Sequence, residues 1–261
     1  MSRFGYTSLG FGSGASAAAG FSNVYSMDFL GEDEIVNIGD LPDMDGIPAL
    51  TISLWVYMDE DGNVAFMGNN DAADGIFFQS FGGALYFGVG HATATTGYVI
   101  CAGATPSLSA WHHICCVYDA SASSPRGFVY VDGSAVSITS KTLPVTSNNA
   151  DAADGFLMGK YIPGGYYWDG KIDELAMWTS ALTAGNAATL ANAAASSGSK
   201  AIDLDAQSFA KPAHWWRMGD GATWNGSVWT IPDGGTPAAP ATTVDGTSAN
   251  MLYAARVGDV P

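Results

Sequence analysis

Positive charge is what this sequence has least of. Nine of its 261 residues are Lys or Arg against 25 Asp or Glu, a formal net charge of −16. No Lys or Arg occurs between Arg3 and Arg126. Nucleic-acid binding needs cations that displace phosphate counterions, and an anionic membrane surface needs them too, so neither is an expected partner. Cysteine is nearly as scarce: Cys101, Cys115 and Cys116 are an odd set with two neighbours in sequence. They supply no disulfide framework and read as small buried apolar residues. No apolar run approaches the roughly 20 residues of a membrane-spanning helix, and no membrane insertion is expected. The start, MSRFGYTSLGFGSG, has one base and no continuous apolar stretch, so synthesis and folding in a reducing cytoplasm are expected. Motifs of metalloproteases, thiol redox proteins, serine hydrolases and P-loop enzymes are also missing.

What the chain does have is acid, glycine and aromatic residues. Thirteen acids fall between Asp28 and Asp119, many in clusters such as Glu32, Asp33 and Glu34, or Asp40, Asp43 and Asp45. Such clusters read either as a solvated surface or as calcium sites assembled from separate loops; no EF-hand spacing is present. Eight Trp, eleven Tyr and twelve Phe argue against disorder through most of the chain.

Three segments are expected. Residues 1–24 are Gly, Ser and Ala with scattered aromatics, an N-terminal arm without its own core. Residues 25–183 read as strand after strand. In Leu50–Met58, Leu50, Ile52, Leu54, Val56 and Met58 alternate with Thr51, Ser53, Trp55 and Tyr57, the period of a half-buried strand. Asp132–Gly133 between two β-rich runs is a hairpin signal. Strands recur about every ten residues, as in an all-β sandwich or jelly roll. Residues 184–261 are expected to form one short helix, with Thr183 as its N-cap, and a C-terminal arm.

The order of motifs resembles a LamG-like, concanavalin A-like lectin/glucanase jelly roll over about 25–185. The stretches are YSMDFLGEDEIVNIG, LTISLWVYM, WHHICCVYD, GFVYVDGSAV and WDGKIDELAMWTSAL. The family's opening FDG is here Phe29-Leu30-Gly31, so a role carried by the missing Asp is not transferred. The resemblance implies a structural Ca²⁺ held by Asp173. HWWRMGDGATW and the closing GDVP are similar to tails of tailed-phage virion proteins. That likeness implies a non-enzymatic capsid-decoration or tail protein, made in the host cytoplasm and displayed on the virion surface. Its partners would be itself, as a homo-oligomer, and other virion proteins.

Hydrolases of this superfamily carry an E-x-D-x-x-E strand. Glu32 and Glu34 share the first spacing, but Asn37 stands where the last acid belongs, and no catalytic residue is assigned. Sugar recognition instead needs aromatic faces with polar neighbours. YIPGGYYWDG supplies Tyr161, Tyr166, Tyr167, Trp168 and Asp169, the expected glycan-contacting group, with core or neighbour packing as the alternative. A carbohydrate-active enzyme or a secreted polysaccharide-binding module of the same fold is the alternative function.

Overall fold

The computed structural model describes residues 21–69, 75–90, 97–124, 126–141, 148, 155–161, 165–192, 199–236 and 246–261. In chain order the strands begin β1 (Ser26–Leu30), β2 (Ile35–Gly39), β3 (Ala49–Met58), β4 (Val64–Asn69), β5 (Ile76–Phe81), β6 (Ala84–Val89) and β7 (Gly97–Ala102). Next come β8 (Trp111–Asp119), β9 (Gly127–Val131), β10 (Ser134–Ala135), β11 (Ser140–Lys141), β12 (Phe156–Met158), β13 (Lys160–Tyr161), β14 (Tyr166–Tyr167) and β15 (Asp169–Trp178). Helix α1 (Ala184–Asn192) precedes β16 (His214–Trp216), β17 (Thr223–Trp224), β18 (Trp229–Ile231), β19 (Gly246–Ala249) and β20 (Arg256–Val257).

Two antiparallel sheets make the sandwich. The first runs β10-β9-β8-β3-β15-β1-β20, with β16 also paired to β15. The second runs β11-β7-β6-β5-β4-β12-β2-β19-β18-β17, and β13–β14 form a separate hairpin. The alternation read in β3 places Leu50, Ile52, Leu54, Val56 and Met58 in the core between the sheets. Facing them from the second sheet are Phe66, Phe78, Leu85, Phe87 and Val99. Asp132–Gly133 turns β9 into β10, both residues at positive φ, as a primed two-residue turn requires.

The first sheet is covered on both faces, where the alternation of β3 suggested one. Thr51, Ser53 and Trp55 are buried. A second apolar cluster lies over them: Ala187 and Leu190 of α1, Ile202, Leu204 and Trp215, packed against Cys115, Val117, Ala176 and Trp178. Thr183 caps α1, its Oγ1 accepting from Asn186 N at 3.2 Å while Asn186 Oδ1 accepts from Thr183 N at 3.0 Å. The helix thus braces the sandwich, and its Thr183 cap is the one expected.

The C-terminal segment differs from the expected arm. It is woven into both sheets: β16 extends the first sheet beside β15, β19 pairs with β2, and β20 pairs with β1. Trp216, Met218, Trp229, Ile231 and Met251 belong to the main core. Residues 1–20 lie outside the described residues. Asn23 is already fixed inside the fold, its Nδ2 donating to Asp173 Oδ2 at 2.7 Å.

Candidate functional site

Strand parity builds a line of rings on the outer face of the second sheet. In β5, Ile76 and Phe78 enter the core, so Phe77, Gln79 and Phe81 take the opposite face. The register sets Gln79 across from Tyr86 and Phe81 across from Ala84. In the next strand it sets Tyr98 across from Gly88. Phe81 and Tyr86 lie 5.9 Å apart between centroids, and Tyr86 and Tyr98 6.1 Å. The β13–β14 hairpin adds Tyr166, 5.7 Å from Phe81. Phe81 is 36% exposed and the three tyrosines are half-buried. Gly88 matters locally: a Cβ there would overlap the ring of Phe77. Three strands and a hairpin therefore present apolar ring faces with phenol hydroxyls at their rims, able to donate or accept.

Of the four residues expected to touch a glycan whose side chains are described, Tyr166 alone joins this line. Tyr167 sits on the same hairpin, with the Lys160 ammonium 4.8 Å from its ring centre. Trp168 is a correction: it is fully buried in the core, 4.6 Å from the ring of Phe66. Hairpin and β15 leave in different sheets, and the residue joining them points between the sheets. Asp169 is likewise elsewhere, paired with Leu30 in the first sheet. Burial pushes its carboxyl up, and the nearby Asp59, Glu60 and Glu34 push in the same direction. The side chain of Tyr161 lies outside the described residues. Phe81, Tyr86 and Tyr98 escaped the sequence reading because they belong to three separate strands. The available signal was an aromatic residue at the non-core parity of each strand.

Asp173 does not fit a calcium ligand. Its Oδ2 accepts from Asn23 Nδ2, and its Oδ1 accepts from Glu174 N at 2.8 Å. N–H donors surround it where a hard cation would need oxygens. Among the described residues no group of three or more His, Cys, Asp or Glu forms a metal-holding set. Asp173 instead belongs to a buried polar junction at a bulge of β15, where Glu174 takes φ +50°. Glu174 accepts from Trp215 Nε1 at 2.6 Å and Arg217 Nε at 3.0 Å. Burial pushes its carboxyl up to about 7 although Arg217 and these hydrogen bonds oppose the rise. Burial raises Asp173 as well, with Glu174 adding to it.

Two histidines pin loops. His112 Nε2 lies 2.8 Å from Ser107 Oγ and its Nδ1 2.7 Å from Asp132 Oδ2. With 48% of the Asp132 side chain exposed, water screens the charge that a catalytic relay would concentrate. The chain of bonds ties the loop before β8 to the β9–β10 turn. His214 is buried, its Nδ1 2.6 Å from Asp233 and its Nε2 2.9 Å from Asp43.

Two antiparallel sheets packed face to face define a β-sandwich, and the family profile agrees with that fold. The chain belongs to the concanavalin A-like lectin/glucanases superfamily, whose profile matches residues 30–188. No curated protein matches it in sequence. Among solved structures it is similar to a protein from Bacteroides ovatus ATCC 8483 named for an inferred carbohydrate-binding role. That similarity has 15% identity and a TM-score of 0.60, covering 88% of this chain and 59% of that one. A heptameric SAP-like pentraxin from Limulus polyphemus is similar at 20% identity and TM-score 0.47, covering 65% of this chain and 82% of its own. The Ruminococcus gnavus IT-sialidase CBM40 bound to α2,3 sialyllactose is similar at 10% identity and TM-score 0.49, covering 66% of this chain and 100% of its own.

Proposed function

We propose that this chain is a non-enzymatic carbohydrate-binding protein. Its binding face is the ring line Tyr98–Tyr86–Phe81–Tyr166 on the second sheet and the β13–β14 hairpin beside it. The observation that carries this reading is that line itself: four rings from four elements, each within about 6 Å of the next, open to solvent on one side. Sugars present C–H faces to such rings and hydroxyls to their rims. Superfamily membership supports the reading, as does the role inferred for the Bacteroides ovatus protein. The test is a glycan array followed by calorimetric titration. Phe81→Ala and Tyr86→Ala should each weaken binding about tenfold or more, as truncated aromatic anchors do, with melting temperature nearly unchanged. Affinity equal to that of the wild type in both variants sinks the assignment of the face.

A second reading concerns where the protein works: as a virion structural protein, a homo-oligomer displayed on a tailed-phage particle. Its support is the tail likeness together with one surface. Val24, Tyr25, Leu30, Leu252 and Tyr253 are all exposed, where the chain's two terminal segments meet. A cleft lined by Asp28, Leu30, Glu34, Leu252 and Ala255 lies among them. Exposed apolar groups of this kind mark partner contacts. Mass spectrometry of purified particles and light scattering of the free protein test it; a monomer absent from particles removes it.

A further inference from the structure

Gln79 stands in the middle of the ring line and is unexplained by the fold. It is 7% exposed, and its Oε1 has no hydrogen-bond partner. Phe77 and Phe81 flank it on the same face of β5, Tyr86 lies directly across on β6, and Ala65 lies across on β4. Phe77, Phe81 and Ala65 have no side-chain donor to offer. A buried carbonyl without a donor costs stability, and an apolar side chain of the same length would spare the fold that cost. Orphaned polar groups of this kind call for a functional explanation.

We infer that Gln79 is the hydrogen-bonding anchor of the ring platform, accepting a hydroxyl or acetamido N–H from a neutral oligosaccharide stacked on Phe81 and Tyr86. This rests on the carbohydrate-binding reading and names its ligand class. Phe81, Tyr86, Tyr98, Tyr166 and Gln79 are all uncharged, so an anionic sugar finds no counter-charge among them. The platform extends over three ring-to-ring steps, which suits a chain of sugars better than a single one. Phe81, the most exposed ring, is the one free to turn aside and admit the donor; exposed side chains change rotamer in picoseconds to nanoseconds.

An array of neutral and anionic oligosaccharides identifies the probe. The tightest neutral oligosaccharide is then titrated into the wild type, Gln79→Leu and Phe81→Ala. Leucine keeps the approximate shape and removes the carbonyl. Gln79→Leu is expected to bind about tenfold more weakly, the scale of one lost buried hydrogen bond, and to melt at the same or a higher temperature. Affinity and stability moving in opposite directions is what a purely structural residue would not produce. Unchanged affinity in Gln79→Leu with binding lost in Phe81→Ala overturns the anchor and leaves the platform standing. Weaker binding with a lowered melting temperature also overturns it. Selective binding of anionic glycans overturns the ligand class, and no binding of any glycan by the wild type overturns the platform itself.

Discussion

His214 shows how single residues set the conditions under which this fold is stable. Burial disfavours its charge, but hydrogen bonds and attraction from Asp233 and Asp43 outweigh burial and raise its pKa above the ordinary value. Asp233 responds in the opposite sense: burial would raise it, yet bonds from His214, Trp215 N and Gly235 N hold it low. The imidazolium therefore bridges two carboxylates between β16, the loop after β18 and the turn at Pro42–Met44. A histidine whose folded pKa exceeds its unfolded value of about 6.5 binds more protons when folded. Its contribution is full below about pH 6.5 and is lost as pH rises through the folded pKa. His214→Gln should lower the melting temperature at pH 6, with a cost of about 3–5 kcal/mol for breaking a buried charge pair. The gap between wild type and variant should shrink toward pH 9. Glu174 lowers wild-type stability over part of the same range, so the difference between the two proteins, followed by scanning calorimetry, is the decisive quantity. A gap that does not change with pH refutes the imidazolium bridge. None of this was legible in the sequence. The partners of His214 are 19 and 171 residues away in sequence, beyond the reach of any local pattern.

Strands carry the legible part of the fold, and their exceptions carry the rest. The alternation of β3, the Asp132–Gly133 turn and the Thr183 cap all follow from local chemistry and were readable without coordinates. The β17–β20 strands were not, because two to four residues are too short to show a period. The ring line was invisible for another reason: register, not sequence spacing, brings Phe81, Tyr86 and Tyr98 together. In the first sheet a close approach at Gly170 plays a comparable part, holding neighbouring strands at their separation. This residue lies in β15 between Met58 of β3 and Phe29 of β1, at φ +128°. A Cβ there would overlap the carbonyl oxygen of Tyr57. Gly170→Ala should therefore cost at least about 1–3 kcal/mol from the backbone conformation alone, with the clash adding to it. Denaturant unfolding measures this. A loss below about 0.5 kcal/mol, the usual limit for a neutral surface change, would mean that β3 and β15 are not held at this separation.

At the scale of the whole molecule, the family profile and the folding unit have different boundaries. The profile ends at residue 188, yet the buried junction on β15 is completed by Trp215 and Arg217. The same arginine donates to the carbonyl of Ser22, and Asp220 accepts from Val24 N at 2.9 Å. The entering and returning chain are thus stitched together around the Asp173–Glu174 bulge. Removing everything after residue 188 would leave Glu174 buried without its cation, one of the costliest changes a fold can suffer. It would also strip Trp216, Trp229 and Met251 from the main core, open one edge of β2, and uncover Trp178 beneath Trp215. A fragment ending at residue 188 should accordingly fail to give a cooperative thermal transition, while the full chain should give one. If the shorter fragment melted cooperatively with similar amide-exchange protection in β3, β8 and β15, the terminal strands would be an accessory layer. The expected failure would establish that the sandwich and its returning chain fold as one unit, with acids concentrated in 25–183 and the aromatic C-terminal strands supplying part of its core.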